Sequence, residues 1–569
     1  MSMNSAARIP VTLAFLALWA SPNAPGQIPR QPVAGTHGMV VSAERHASQA
    51  GVEILNDGGN AVDAAVAVGF ALAVTYPQAG NIGGGGFMVI RFSDGKSTTL
   101  DYREKAPAGA TRNMYLDESG NAVAARSREG YFSVGVPGSV AGMLLALERY
   151  GTMKREAVIA AALRYTRGFA INRVLARDLN GEAKRLAQYP GTKKLFVRSD
   201  RPFVEGDTLV QPDLEKTLGR IVERGTAGFY EGPTADAIVA EMARGGGLIT
   251  KRDLESYGAV ERPPVKGRYR GYDIISMGPP SSGGIMLIQL LNLLERYDLA
   301  GSGFGSSRTI SLMAEAMKLA YADRAEFMGD ADFSPVPTER LVSKEYADIR
   351  ARLIDTLAAT PSSKISHGAI PREEGTHTTH YSVADRWGNV VSVTTTINSD
   401  FGAGIVVDGA GFFLNNEMDD FSAKPGVLNQ FGLLGTDANA VQPNKRMLSS
   451  MTPTILVKAG KPFMIIGSPG GATIMTTVLQ VVVNVIDHGM NIQEAIDAPR
   501  IHHQWYPDQL MYEHQSLPQD VVDNLRKKGY DVVERPGYQG LAQGIVIDPR
   551  SGIFYGATDP RGSGAAIGY

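Results

Sequence analysis

A change in the hydrophobic pattern near residue 360 constrains the fold of this chain more than any other feature of its sequence. From about 138 to 355 the apolar residues recur mostly with helical spacing, whereas after about 360 they alternate as they do in strands. Polar, poorly periodic residues at 361–375 separate the two parts and predict an exposed linker. A chain with both patterns is expected to build stacked layers, with sheets inside and helices outside.

The part after the linker predicts two β-hairpins and a helix. The first hairpin joins strands at 381–384 and 390–397, and the second joins strands at 453–457 and 462–466. The apolar run at 471–488 predicts a helix that follows the second hairpin. The strand-rich part therefore also contains helical material, as a layered α/β fold requires.

Helices and strands are also predicted near the start of the chain. The segment 42–55 has a helical pattern that stops at a glycine pair, and Asn60 is placed to cap the apolar helix at 61–75. Strand-like runs follow at 87–92 and 98–102. These elements predict that the first part contributes strands to the inner sheets as well as helices to the outer layers.

Composition excludes several classes of function. The formal net charge is −2, so the chain has no overall attraction for nucleic acid or an anionic membrane. It contains no cysteine, which excludes disulfides, thiolate nucleophiles and cysteine-ligated zinc. The glycine run at 83–86 lacks the Gly-Lys-Ser/Thr ending of a phosphate-binding loop and leads into a strand. We expect no cofactor and no nucleic-acid partner.

The first 26 residues have the pattern of an export signal. Arg8 precedes the apolar run 9–20, and small residues follow at 21–26. The alternative is a membrane-anchoring helix, but the run is shorter than the ~20 residues that cross a bilayer. We therefore predict a signal peptide at 1–26 and a periplasmic or secreted protein.

Thr378 lies where the polar linker meets the first strand of its hairpin. A hydroxyl is a weak nucleophile, but a threonine at a chain N-terminus carries its own base, an α-amine with a pKa of about 7.7. Cleavage of the bond between His377 and Thr378 would create that terminus. The alternative reading of the residues alone is that Thr378 and Thr379 simply favour a strand.

A metal site is the other reading of this segment, because His377 and His380 follow Glu373 and Glu374. The order of residues does not match the H-E-x-x-H pattern of a zinc helix. A strand would also place the two histidines on opposite faces. We therefore expect no metal.

Eight motifs, in order along the chain, carry a resemblance to a known family. They lie at 83–87, 101–107, 378–383, 396–398, 414–421, 443–451, 467–471 and 557–561. Together they resemble the gamma-glutamyltransferase family of N-terminal-nucleophile hydrolases, from about residue 34 to the C-terminus. The resemblance implies a four-layer αββα sandwich built from two fragments of one precursor, with a large subunit at 27–377 and a small subunit at 378–569.

The resemblance also implies which residues perform the chemistry. Thr378 would be the nucleophile in both self-cleavage and acyl transfer, and Thr396 would support it by hydrogen bonding. Gly470 and Gly471 would donate backbone N–H groups to the oxyanion, which glycine permits because it has no side chain to obstruct the approach.

The other implied site residues would bind the two charged groups of a γ-glutamyl donor. A guanidinium fork matches a carboxylate, and paired acids suit an ammonium group. The resemblance assigns Arg103, Ser449 and Ser450 to the α-carboxylate, and Asn398, Glu417 and Asp420 to the α-amino group. Taken singly, Arg103 would suit a solvated strand, Ser449-Ser450 a helix cap, and Asp419-Asp420 or Gly470-Gly471 a turn.

The implied substrates are glutathione and other γ-glutamyl amides, with water, an amino acid or a dipeptide as the acceptor. Glu417 stands where some family members have glutamine, and His377 occupies a position that varies before the cleaved bond. The stretch 425–444 resembles the family's lid loop, with Phe431 at its aromatic tip.

Two other functions fit parts of the pattern. An acylase of the same fold would hydrolyse glutaryl or other side-chain amides, including β-lactam precursors, and would need no group that binds an α-ammonium; Asp420 with Asn398 and Glu417 argues against it. A non-enzymatic binding protein that kept only the fold would not need Thr378 and its neighbours. The intact nucleophile and oxyanion glycines argue against that reading.

Overall fold

A computed structural model describes residues 30–366 and 378–569 of the chain, except for Pro425 and Leu428. The predicted signal peptide and His377 therefore lie outside the described residues.

The strands vary from two to seven residues in length and are distributed along the whole described chain. They are β1 (Val33–Gly35), β2 (Met39–Ser42), β3 (Gly85–Arg91), β4 (Ser97–Asp101), β5 (Phe169–Ala170), β6 (Thr208–Leu209), β7 (Val260–Arg262), β8 (Val265–Tyr269), β9 (Tyr272–Ser276), β10 (Thr379–Ala384), β11 (Val390–Thr396), β12 (Thr454–Lys458), β13 (Lys461–Gly467), β14 (Ile501–His502), β15 (Leu510–Tyr512), β16 (Val532–Glu534), β17 (Gln543–Ile547), β18 (Phe554–Thr558) and β19 (Ala565–Gly568).

Most of the helices lie before the linker. They are α1 (Arg45–Asn56), α2 (Ala61–Thr75), α3 (Ala124–Arg128), α4 (Ser139–Tyr150), α5 (Arg155–Thr166), α6 (Arg173–Leu186), α7 (Pro190–Phe196), α8 (Pro212–Arg224), α9 (Ala227–Tyr230), α10 (Gly232–Gly245), α11 (Lys251–Glu255), α12 (Gly283–Leu294), α13 (Leu299–Ser302), α14 (Ser307–Phe327), α15 (Thr338–Leu341), α16 (Lys344–Ala351), α17 (Ile474–Ile486), α18 (Ile492–Asp497) and α19 (Gln519–Lys527).

Two antiparallel sheets of seven strands form the centre of the described structure. The first has the order β19-β2-β10-β11-β3-β4-β7, and the second has the order β1-β18-β17-β13-β12-β9-β8. Each sheet combines strands from before and after the linker. The strand that begins next to Thr378, β10, lies between β2 and β11.

Alternation along the strands sorts side chains into three apolar layers. Phe87 and Val89 of β3 pack with Ile455 and Ile465 of the second sheet, whereas Met88 faces the opposite way. In the same manner, Leu456 and Met464 face away from the first sheet. Successive side chains of a strand point to opposite faces, so each sheet contributes to the central layer and to one outer layer.

Helices cover the outer face of each sheet. The outer layer of the first sheet includes the buried residues of α1, α2, α4 and α5, and that of the second sheet includes those of α12, α14 and α17. Two sheets face to face with helices on both outer sides make a four-layer αββα sandwich, so the predicted fold is confirmed.

Most predicted elements lie within a few residues of their expected positions. The first helix spans Arg45–Asn56, and Asn60 caps α2 through a capping box with Asp63. Both predicted hairpins form, as β10–β11 and β12–β13. The predicted helix at 471–488 begins as a short 3₁₀ turn, Gly471–Thr473, and continues as α17.

The segment 138–355, which was predicted to be mostly helical, also contains strands at the edge of a sheet. Strands β8 and β9 form a hairpin at 265–276 that completes the second sheet. The central residues of β8 are exposed or half-buried, so its sequence resembles a polar loop more than a strand. No helix in the described ranges has both the length and the apolar character needed to cross a membrane.

Candidate active site

Thr378 immediately precedes β10 in the inner part of the sandwich. It is 7% exposed and lines a cavity of about 230 Å³ together with Gly470. The pairing of Thr379 with Thr395 between β10 and β11, continued by one residue, places Thr378 opposite Thr396. The residue that resembles a nucleophile is therefore nearly buried, at the end of a central strand, and still borders a cavity.

Hydrogen bonds fix the backbone around Thr396. Its hydroxyl oxygen accepts the backbone N–H of Asn398 at 2.8 Å, and its carbonyl accepts the side-chain amide of Asn81 at 2.9 Å. Asn398 has a positive φ of 74° and donates from Nδ2 to the carbonyl of Asn416 at 2.9 Å. Asn398 thus joins the end of β11 to the segment that carries Glu417.

Gly470 and Gly471 form a turn that only glycine fits easily. Their φ angles are 138° and 52°, both in the region that favours glycine. A Cβ atom at Gly471 would lie 2.4 Å from the ring of Phe431. The turn leads through the 3₁₀ turn into α17, so its N–H groups lie at the positive end of a helical segment, where an oxyanion is stabilised.

Arg103 forms the centre of a buried charged cluster. Its guanidinium pairs with Glu417 through Nη1 and with Asp420 through Nη2, and Glu104 Oε2 lies 3.6 Å from Nη1. Arg103 also donates to the carbonyls of Met447 at 3.3 Å and Leu448 at 3.2 Å. The implied carboxylate-binding arginine and two of the implied ammonium-binding acids are thus direct partners.

The cluster has more carboxylates than its one guanidinium can neutralise. Burial raises the pKa of Asp420 to about 6 and that of Glu104 to about 7, although Arg103 opposes both shifts. Burial also raises the pKa of Glu417. For Arg103, burial disfavours the charge, but Glu417 and Asp420 outweigh it and raise the pKa. An added cation would relieve this excess of buried negative charge.

Ser449 and Ser450 lie beside the cluster on the chain that leads to β12. The N–H of Ser282 donates to the carbonyl of Ser449 at 2.9 Å, and Arg324 donates from Nη2 to the hydroxyl of Ser450 at 3.2 Å. Arg324 also donates to the hydroxyl of Ser282 at 3.0 Å, and burial lowers its pKa to about 10. Arg324 therefore places a second buried guanidinium next to these serines.

The loop that resembles a lid lies over the charged cluster. Asn429 donates to Asp420 Oδ1 at 3.2 Å, and the N–H of Gln430 donates to Asp419 Oδ2 at 2.8 Å. Phe431, the predicted aromatic tip, is 5% exposed and packs against Gly471. The tip residue therefore points inward, onto the glycine turn, rather than into solvent.

His380 is unsuited to act as a base at neutral pH. It is fully buried on β10, where Nδ1 contacts the hydroxyl of Thr394 at 2.9 Å and Nε2 contacts that of Ser382 at 3.0 Å. Burial lowers its pKa to about 3. Among the described residues, no group of three or more acidic or histidine side chains is arranged to hold a metal ion.

The structure brings all ten predicted site residues into this region and adds four that were not predicted. Glu104 lies 3.6 Å from Arg103, and Asp419 and Arg324 both affect the pKa of Asp420. Ser282 accepts a hydrogen bond from Arg324. Glu104 and Asp419 lie within motifs already recognised, so their position in those motifs was an available signal. Arg324 lies within α14, away from every motif, and its sequence neighbourhood carries no comparable signal.

A four-layer sandwich of this kind, with a threonine at the start of a central strand beside a glycine turn, has the fold of the N-terminal-nucleophile hydrolases. The sequence signature described as Gamma-glutamyltranspeptidase matches residues 47–569. The chain is also 52% identical to a glutathione hydrolase proenzyme of Escherichia coli, over 93% of this chain and 91% of that protein. It therefore belongs to the gamma-glutamyltranspeptidase family and is an enzyme of that family.

Solved structures agree with the fold, and one of them matches only part of this chain. A cephalosporin acylase from Bacillus halodurans superposes with a TM-score of 0.83 at 29% identity, over 97% of this chain and 99% of that one. A chain of the Helicobacter pylori gamma-glutamyltranspeptidase superposes with a TM-score of 0.57 at 48% identity. That second chain is covered to 97% of its length but spans only 60% of this one.

Proposed function

We propose that this chain is a gamma-glutamyltransferase and glutathione hydrolase that matures by cleaving itself before Thr378. The Thr378 hydroxyl would attack the preceding carbonyl and form an ester, and water would release the earlier fragment. The products would be a large subunit ending at His377 and a small subunit at 378–569. The large subunit would begin near residue 27 after export to the periplasm or the medium.

The mature enzyme would transfer a γ-glutamyl group in two steps. The hydroxyl of Thr378 attacks the γ-carbonyl of the donor, and its free α-amine accepts the proton. Backbone N–H groups of Gly470 and Gly471 stabilise the oxyanion, and Thr396 holds the nucleophile in place. The amine of the donor leaves with a proton, and water or the amine of an amino acid or dipeptide then resolves the ester.

The observation that carries the choice of donor is the buried cluster around Arg103. A γ-glutamyl group ends in an α-carboxylate and an α-ammonium, so its site must hold both charges. Three carboxylates, Glu104, Glu417 and Asp420, stand against a single guanidinium and favour the entry of a cation. Arg103, with Ser449, Ser450 and the adjacent Arg324, offers donors to the carboxylate, and Asn398 adds a side chain to the ammonium side.

The second candidate function is that of a side-chain acylase, which the likeness to the cephalosporin acylase favours. Such an enzyme would accept a glutaryl amide, which has no α-ammonium. The excess of buried carboxylates favours the γ-glutamyl donor instead, because those carboxylates would remain uncompensated beside a glutaryl group.

Mass spectrometry and a pair of substrates test the proposal together. We expect two fragments, the smaller one beginning at Thr378, and an N-terminus of the larger one near residue 27 in protein recovered from outside the cytoplasm. The purified enzyme should hydrolyse γ-glutamyl anilide at least ~30-fold better than glutaryl anilide, in terms of kcat/KM. Comparable values for the two anilides would support the acylase instead, and a single chain would refute self-cleavage.

A further inference from the structure

A separate cavity lies beside the segment that follows β4. It has a volume of about 500 Å³, within the ~300–1,000 Å³ range of small-molecule sites, and it shares no wall residue with the cavity at Thr378. Its wall includes Lys105, Arg252, Asp253, Tyr257 and Asn444. None of the ten residues assigned to catalysis or to the donor belongs to this wall, so the cavity has no part in the proposed reaction.

Lys105 is a half-buried cation without a hydrogen-bond acceptor. Its ammonium group donates no hydrogen bond to the described residues, and it lies over the ring of Tyr257, 5.5 Å from the ring centre. Burial lowers the pKa of Lys105, and the nearby positive charge of Arg446 lowers it further. An ammonium group that has lost part of its hydration is stabilised when an anion accepts its hydrogen bonds.

The carboxylates that act on Lys105 from a distance are bound to other groups. They are Asp101, Asp330 and Asp332, and all three raise its pKa. The guanidinium of Arg262 donates to Asp101 at 2.8 Å and to both oxygens of Asp332 at 2.6 and 3.0 Å. Asp330 accepts two backbone N–H groups, at 2.9 and 3.1 Å. These acids therefore leave the three donors of Lys105 available to a ligand.

The rest of the wall adds donors but no available carboxylate among the described residues. Arg252, on α11, and Asn444 are exposed, and neither side chain donates a hydrogen bond to the described part of the chain. The buried acid of the wall, Asp253, is already satisfied. Its Oδ1 accepts the N–H of Ala108 at 2.8 Å, and its Oδ2 accepts the N–H and the hydroxyl of Thr250 at 2.8 and 2.6 Å. The wall therefore favours an anion over a cation.

We propose that this cavity binds a phosphate group, as the free ion or as the monoester of a small molecule, through Lys105, Arg252 and Asn444. A phosphate monoester carries a charge of about −1.5 to −2 at neutral pH and three acceptor oxygens. Two cations match that charge better than they match the single charge of a carboxylate, and lysine and arginine are the usual partners of phosphate. The site goes beyond the proposed function and does not depend on it.

Calorimetric titration of the purified protein with inorganic phosphate and with glycerol 3-phosphate tests the site. Lys105→Met keeps an unbranched side chain but removes the charge, and it should weaken the binding of both probes about tenfold. Arg252→Gln should weaken it about threefold, as expected for an exposed ion pair, and it tests the site even if the Lys105 variant does not fold. Tighter binding of glycerol 3-phosphate would identify an ester as the ligand, and equal binding would identify free phosphate.

Lys251→Gln supplies the matched control. Lys251 is an exposed cation next to Arg252 on α11, pairs with Asp236 at 2.8 Å and does not line the cavity. This variant should bind both probes as the unsubstituted protein does. An equal loss of affinity in Lys251→Gln and Arg252→Gln, tighter binding of succinate than of either probe, or no binding of the probes at all would overturn the proposal. Each of these results would leave the proposed enzymatic function intact, because the titration involves no catalysis.

Discussion

The two sides of Thr378 differ in how their charges are held. On one side, Arg103 is 0% exposed and its guanidinium is surrounded by Glu417, Asp420 and two backbone carbonyls. On the other, Arg177 lines the same cavity as Thr378, is largely exposed and pairs with a single carboxylate oxygen, Oδ1 of Asp178. Buried charge pairs tolerate little change, whereas exposed pairs contribute little free energy. We infer that the Arg103 side tolerates substitution less than the Arg177 side.

The largest effect should follow from removal of the nucleophile. Without activity, no difference between the two sides of Thr378 can be measured. Thr378→Ala lacks the hydroxyl that both self-cleavage and acyl transfer need, so we expect a single uncut chain without measurable activity toward any donor. Gel electrophoresis and N-terminal sequencing provide the measurement. A fragment that still begins at residue 378 would show that another group cuts the chain.

Thr379→Val is the control for that experiment. Thr379 is the next residue, is fully buried on β10, and its hydroxyl makes no hydrogen bond to the described residues. Valine has the same branched shape, and no hydrogen bond is lost. This variant should cleave and fold normally, which separates loss of the nucleophile from damage to the strand.

The next largest effect should come from the donor side. Asp420→Ala removes a buried partner of Arg103 and of the substrate ammonium, a change typically worth ~2–5 kcal/mol. We expect kcat/KM for γ-glutamyl anilide to fall at least ~30-fold. The decrease for glutaryl anilide should be much smaller, and equal decreases would contradict the ammonium role.

Acid should weaken donor binding through the same residue. The pKa of Asp420 is about 6, so this carboxylate becomes neutral as the pH falls through that value and no longer attracts an ammonium. The inhibition constant of L-glutamate should rise about tenfold between about pH 7 and about pH 5. In Asp420→Asn this rise should be smaller, because the amide does not titrate, and Glu104, whose pKa of about 7 lies in the same range, accounts for what remains. An undiminished rise in the variant would assign the titration to a different group.

The smallest effect should follow from replacing His380. Its pKa of about 3 keeps the imidazole neutral throughout the working range, so we assign the role of base to the α-amine of Thr378. His380→Asn should process, and its rate of acylation should still rise along a basic limb between about pH 6 and about pH 8.5. Normal processing with loss of that limb would identify His380 as the base.

The sequence predicted the layered fold and the site residues because both depend on local patterns and on motifs. The hairpin that begins at Thr378 has clear alternation, and the glycine turn has a recognisable pair of residues. The direct pairing of Arg103 with Glu417 joins positions 314 residues apart, and no spacing rule predicts it. The place of Arg324 in the site is equally unpredictable from the sequence, because only the packing of α14 against Ser282 and Ser450 brings its charge there. Whether these residues act as proposed stays a prediction.

The arrangement of strands determines how each molecule can refold before and after the cut. In the first sheet, β2, β3, β4 and β7 precede Thr378 while β10, β11 and β19 follow it, and the second sheet is mixed in the same way. Before the cut, folding is a unimolecular event in which every strand is tethered to its neighbours. After the cut, the same sheets can be rebuilt only when two separate chains meet, so recovery from denaturation becomes concentration-dependent. The proposed cut would thus turn a protein that can refold by itself into one whose persistence rests on slow unfolding.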